Sequence, residues 1–181
     1  MAEQIYYFAY GSNLHPVRLE ARIGASQIAG VAQLPGAELC FHKVGRDRSG
    51  KCDIVCREST SATVWGVVYQ ISVGQKKILD QHESLGQGYQ ILETFVFTRQ
   101  EQKIPVYTYQ AMSDYIDPSL KPFDWYHELV VQGALFHGFP TEYLAELRKT
   151  ELIPDSDFQR ADLHQSLLRT IQETRHSERA E

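Results

Sequence analysis

Tyr89-Gln90-Ile91-Leu92-Glu93-Thr94-Phe95-Val96-Phe97 and Ile104-Pro105-Val106-Tyr107-Thr108-Tyr109-Gln110-Ala111-Met112 flank a polar segment, residues 98–103. Both runs are rich in β-branched and aromatic side chains, which suit a pleated, half-buried surface. Two such runs around a short polar turn read as an antiparallel hairpin. Upstream, Thr63-Val64-Trp65-Gly66-Val67-Val68-Tyr69-Gln70-Ile71 is a longer run of the same kind and reads as a central strand. Between them, residues 73–85 change to helical spacing, with Ile78, Leu79 and His82 on one side and Gln75, Lys76 and Lys77 mostly on another. That helix stops at Gly86-Gln87-Gly88.

Moving outward, residues 27–42 alternate small apolar and polar types around Pro35-Gly36, the pattern of a strand, a turn and a second strand. Residues 52–56 form another short strand. Asp124 reads as an N-cap for a helix that continues to Gly138, and a further helix follows from Thr141 until Pro154 breaks it. The pattern predicts an α+β chain: a small, mainly antiparallel β-barrel flanked by helices, over residues 1–154. Residues 155–181 form a helical extension, with Leu163, Leu167, Leu168 and Ile171 at helical spacing and a frayed, polar end.

The 181 residues suffice for one core, 43% of them being apolar. A formal net charge of -5, without any clustered basic run, argues against nucleic acid or an anionic membrane as the main partner. The most basic segment, Gly45-Arg46-Asp47-Arg48-Ser49-Gly50-Lys51, reads as a solvated loop rather than a phosphate clamp. No apolar run approaches the ~20 residues that span a bilayer. The N-terminus lacks signal-peptide organisation, so the expected location is cytoplasmic. Cys40, Cys52 and Cys56 are an odd set that suits reduced thiols. With His42 they lack any C-x-x-C pair, and no metal or other cofactor is expected.

Two places can do chemistry. Ile5-Tyr6-Tyr7-Phe8-Ala9 is a strand that runs into Tyr10-Gly11-Ser12-Asn13, a turn before the helix that Pro16 opens and Gly24 closes. Gly11 tolerates unusual backbone angles, and Ser12 and Asn13 can cap a helix. Exposed amides at such a junction suit a carboxylate or a developing oxyanion. The second place is Glu83, in the last turn of the helix over residues 73–85, where a carboxylate can act as a base.

Taken together, Tyr7-Phe8-Ala9-Tyr10-Gly11-Ser12-Asn13-Leu14, Val64-Trp65-Gly66-Val67-Val68-Tyr69, Leu79-Asp80-x-x-Glu83, Gly88-Tyr89 and the later Tyr126 and Gly133-Ala134 resemble the γ-glutamylcyclotransferase family over roughly residues 5–150. The resemblance implies an enzyme that closes a γ-glutamyl group to 5-oxoproline and expels the attached amino acid or amine. It also implies that Glu83 is the acid/base. Tyr7, Phe8, Ala9, Tyr10, Gly11, Ser12 and Asn13 would hold the small-molecule substrate, with Tyr89, Tyr126 and, less directly, Tyr109 near the pocket. A γ-glutamylamine cyclotransferase, deprotection of a γ-glutamyl-tagged metabolite and a non-catalytic γ-glutamyl-binding module are the alternatives, in a monomer or homodimer. One departure stands out: the family commonly has Gly after the glutamate, where this chain has Ser84.

Overall fold

The computed structural model describes residues 4–57 and 61–178, with side chains to residue 173. Five strands close into a barrel in the order β1-β5-β2-β6-β7. They are β1 (Gln4–Ala9), β2 (Gln27–Pro35), β5 (Thr63–Ser72), β6 (Tyr89–Thr98) and β7 (Lys103–Ala111). The expected hairpin is β6–β7, in register from Tyr89 opposite Ala111 to Phe97 opposite Lys103. β5 is central, pairing antiparallel with both β1 and β2. One seam is parallel: β1 meets β7 at Tyr7 and Tyr107, and Thr108 Oγ1 donates to the Phe8 carbonyl beside it at 2.7 Å. Closure leaves the barrel without a terminal edge strand among the described residues.

β3 (Ala37–Val44) and β4 (Gly50–Cys56) are a separate two-stranded ribbon. The strands on either side of Pro35-Gly36 therefore do not pair with each other. Gly36, at φ 70°, turns the chain out of the barrel, and its N–H donates to the Ala62 carbonyl at 3.0 Å.

Among the described residues, five α-helices flank the barrel: α1 (Pro16–Ile23), α2 (Val73–His82), α3 (Asp124–Phe136), α4 (Thr141–Leu147) and α5 (Phe158–Glu178). A capping box opens α2, with Gln75 N–H donating to Ser72 Oγ and Ser72 N–H to Gln75 Oε1. The Gln75 side-chain amide also donates to the carbonyls of Ile23 and Ala25, which ties α2 to the end of α1. Asp124 proves to be the first residue of α3 rather than its cap, and its carboxylate accepts from Trp125 N–H at 2.7 Å. No described helix is long and apolar enough to cross a membrane.

α5 packs on α3. Leu168 and Ile171 are buried, whereas Leu163 is exposed, so only part of the apolar set faces the domain. Arg160 grips Asp155 with two hydrogen bonds and holds its carboxyl down to about 2, while Trp125 Nε1 donates to the same carboxylate. His164 stacks on Trp125 at 3.7 Å between ring centres. The backbone stays helical to Glu178, and the rest of the expected frayed end lies outside the described residues.

His15 caps α1, its Nδ1 accepting from Val17 N–H at 3.3 Å, and is fully buried. Its Nε2 has no partner among the described residues. Burial lowers its pKa from 6.5 to about 4, so the folded protein holds it neutral where the unfolded chain would take a proton. A depressed folded-state value contributes stability above pH 6.5 that is lost as pH falls towards 4. We expect Tm to drop by roughly 5 °C between pH 7 and pH 4.5. His15→Asn, which keeps a capping oxygen, should flatten that slope when melting is followed by circular dichroism.

Candidate active site

The barrel delivers Tyr7 at the end of β1, and the chain then turns through residues 10–14, closed by Leu14 N–H donating to the Gly11 carbonyl at 3.0 Å. The Leu14 carbonyl accepts from Tyr69 Oη at 2.6 Å and from His137 Nε2 at 2.8 Å, so β5 and the end of α3 fix the turn. Gly11 serves this turn through space rather than unusual torsion angles. A Cβ there would lie 3.0 Å from Cys52 Cβ and 3.2 Å from its Sγ. Gly133 makes the corresponding allowance on α3, where a Cβ would sit 2.4 Å from Leu14 Cβ and 2.9 Å from the His15 amide nitrogen.

Because His15 takes the capping role expected of Ser12 or Asn13, the Asn13 side chain is released for another task. It donates from Nδ2 to Glu83 Oε1 at 2.9 Å and to Tyr7 Oη at 3.1 Å. Arg22 Nη1 donates to the same Glu83 oxygen at 2.6 Å and to Asn13 Oδ1 at 2.9 Å. Glu83 is the C-cap of α2, Arg22 stands in the last turn of α1, and the two helices pack on one another. Glu83 Oε2 accepts from no group among the described residues. Ser84 follows at φ 55°, in the left-handed region that favours glycine. The residue that departs from the family pattern therefore holds the conformation a glycine would adopt, at some local strain.

Beside Glu83 lies a recess of about 20 Å³, lined by Tyr7, Tyr10, Gly11, Ser12, Asn13, Cys52, Tyr89, Tyr109 and Tyr126. Most residues singled out from the sequence thus converge. Phe8 and Ala9 do not line it. Their backbones pair with Val68 and Val67 of β5 and both side chains are fully buried.

The tyrosines differ in what their hydroxyls have left to offer. Tyr10 donates to the Tyr109 carbonyl at 2.5 Å and Tyr89 to the Cys52 carbonyl at 2.6 Å. Tyr109 donates to Asp80, itself paired with Lys76, and Tyr126 Oη accepts from Cys52 N–H. Tyr7 Oη accepts from Asn13 and gives its own proton to no group among the described residues. Burial raises the pKa of Tyr7, Tyr10, Tyr89 and Tyr126 well above 10, so they act as donors, not bases. Burial likewise pushes Cys52 up to about 12, which keeps its thiol protonated at neutral pH. Cys52 is therefore no nucleophile. His42 is bonded to Asp53 at 2.8 Å, and Cys56 is exposed.

The recess opens into a cleft of about 410 Å³ that shares Ser12, Glu83, Tyr89 and Tyr126 with it. Here the structure corrects the reading of residues 45–51 as a merely solvated loop. The β3–β4 ribbon folds back so that Arg46, Asp47 and Lys51 line the cleft. Lys51 lies over the rings of Trp125 and Tyr126 at 5.0 and 4.4 Å. Arg18, Arg22, Lys43 and Arg160 complete a basic wall. Arg46 and Lys51 belong to the basic segment read from the sequence as solvated, whereas Arg18, Arg22, Lys43 and Arg160 were not singled out from it. Only Arg18 and Arg22, four apart on one helix, carry a local sign that they share a face.

The pattern of the AIG2-like family matches residues 63–147, the stretch that carries Glu83, Tyr89 and Tyr126. Gamma-glutamylcyclotransferase of Bos taurus is 32% identical over 154 residues, covering 82% of this chain and 80% of the relative. The Homo sapiens protein of that name is 30% identical over the same shares. A solved structure described as gamma-glutamyl cyclotransferase superposes with a TM-score of 0.79 at 25% identity, covering 91% of this chain and 99% of that one. Sequence likeness along most of the chain, a shared barrel and a carboxylate set beside the β1 turn lead to one assignment: this chain belongs to the γ-glutamylcyclotransferase family of enzymes.

Proposed function

We propose that the protein converts a γ-glutamyl compound to 5-oxoproline and the freed amino acid or amine. The observation that carries this reading is Glu83, held through Oε1 by Asn13 and Arg22 while Oε2 stays open beside the Gly11–Asn13 turn. Glu83 Oε2 takes a proton from the substrate α-ammonium. The resulting amine attacks the γ-carbonyl carbon and closes the five-membered ring. The tetrahedral oxyanion then collapses, Glu83 gives that proton to the leaving nitrogen as its C–N bond breaks, and Glu83 next carries the second proton from the ring nitrogen to the freed amine, leaving a neutral lactam and an ammonium. Nucleophile and electrophile belong to one molecule, so the protein's chief work is to hold a bent conformer.

The amides of Ser12 and Asn13 have no acceptor among the described residues, and with Tyr7 Oη they are the donors suited to the substrate carboxylate or the oxyanion. Three free cysteines suit work in a reducing cytoplasm. The test is to incubate the chain with γ-L-glutamyl-L-alanine and quantify products chromatographically. Equimolar 5-oxoproline and alanine are expected, and no 5-oxoproline above the uncatalysed rate would refute the reading.

Arg22 acts here as a positioning residue. Arg22→Gln should lower kcat by about 10- to 100-fold with a smaller change in KM, because Glu83 loses the donor that orients it. Partial recovery in Arg22→Lys would separate loss of the cation from a folding defect.

A further inference from the structure

The basic wall is more than the proposed reaction needs. Among its cations, Arg22 is engaged by Glu83, Lys51 by Asp47 and Arg160 by Asp155. Arg18, Lys43 and Arg46 form no ion pair among the described residues. Arg18 Nε is buried without an acceptor. Lys43 is only 5% exposed, its ammonium 4.7 Å over the Tyr89 ring; it feels the charges of Glu83 and Asp47 at a distance but makes no ion pair with either. It also stands directly opposite Lys51 across the β3–β4 ribbon, a like-charged pair that weakens the ribbon. Burying the Lys43 ammonium and the Arg18 Nε without a counter-ion is costly, and with the exposed Arg46 they are held together in a chain whose net charge is -5. An anionic ligand offsets that cost.

We infer that the cleft beyond Glu83 is a subsite for a leaving group with two or more negative charges, so that the favoured γ-glutamyl compounds carry an acidic amino acid or a phosphate on the attached amine. This rests on the γ-glutamyl reading above. A neutral amino acid brings one carboxylate to three unpaired cations, whereas a dicarboxylate or phosphorylated amino acid brings at least two charges. A cationic amine is repelled. The volume of about 410 Å³ accommodates an amino-acid-sized group.

The test compares kcat/KM for γ-L-glutamyl-L-glutamate against its isostere γ-L-glutamyl-L-glutamine, and for γ-L-glutamyl-O-phospho-L-serine against γ-L-glutamyl-L-serine. The charged member should lead by about tenfold or more in at least one pair, and which pair shows it separates carboxylate from phosphate. That ratio should fall at least threefold in Lys43→Gln and in Arg46→Gln, and on raising NaCl from about 0.05 to 0.5 M. Arg46 is exposed, so its variant guards against a folding artefact at Lys43. A ratio within twofold of unity in both pairs, or one that neither substitution changes, overturns the inference. Calorimetric binding of the same four compounds separates the two claims. If none releases 5-oxoproline, the reaction assignment fails, while tighter binding of the charged members still supports the subsite and equal binding overturns it.

Discussion

Glu83→Gln is expected to slow 5-oxoproline release by about 10³-fold, the scale on which a positioned acid/base contributes to proton transfer. The amide keeps the shape of the carboxylate but cannot take the proton from the α-ammonium, and an ammonium has no lone pair with which to attack. The oxygen that Asn13 and Arg22 address is retained in the amide, so the fold and the turn should persist, with Tm within a few degrees of the parent. The loss belongs in kcat, with KM little changed, because the substrate is proposed to be held by the turn. A folded Glu83→Gln protein with a rate within tenfold of the parent would remove Glu83 from the mechanism. Retained turnover together with altered KM would instead make it a binding group.

Gly133→Ala should cost about 2 kcal/mol of stability, a methyl group being forced into a filled space. The helix interior itself favours alanine over glycine by about 1 kcal/mol, which partly offsets the clash. What the methyl would meet is Leu14 Cβ, whose place the backbone fixes, and the backbone at Leu14 and His15, none of which can rotate aside as the far end of a flexible side chain would. Moving it displaces the neighbouring Asn13, hence the support of Glu83, so kcat should fall about tenfold as well. Gly74→Ala is the control, since its new Cβ meets only Ser72 Oγ at 3.8 Å and should leave urea unfolding unchanged or slightly stabilised. Equal behaviour of the two variants would show that α3 does not fix the turn.

These two positions differ in how they can be read. Glu83 stands at a helix end before Gly86-Gln87-Gly88, a weak sign by itself that only the family resemblance turns into an acid/base expectation, whereas the β1 turn is marked by its strand, glycine and polar residues. Gly133 is an ordinary glycine within a helical pattern until the loop that approaches it is known. The capping role shows the same limit. Ser12, Asn13 and His15 all precede α1, and propensity favours the first two, yet burial of His15 beneath α3 gives it the cap and turns Asn13 towards Glu83.

The amino-acid sequence by itself determined the elements whose signals are local: the β6–β7 hairpin, the long β5 strand, the α2 helix ending at Glu83 and the turn after β1. Alternation, helical spacing and turn residues act over a few positions, so they survive without knowledge of neighbours. Only the tertiary structure decided the parallel β1–β7 seam, the departure of β3–β4 from the barrel, and the meeting of Arg22 with Glu83. It alone also gathered Arg18, Lys43, Arg46, Lys51 and Arg160 from α1, the ribbon and α5 onto one wall. Scattered basic residues in an acidic chain look like a solvated surface, because charge carries no periodic signature. Their joint field exists only once barrel closure and the docking of α5 bring them within reach of one ligand.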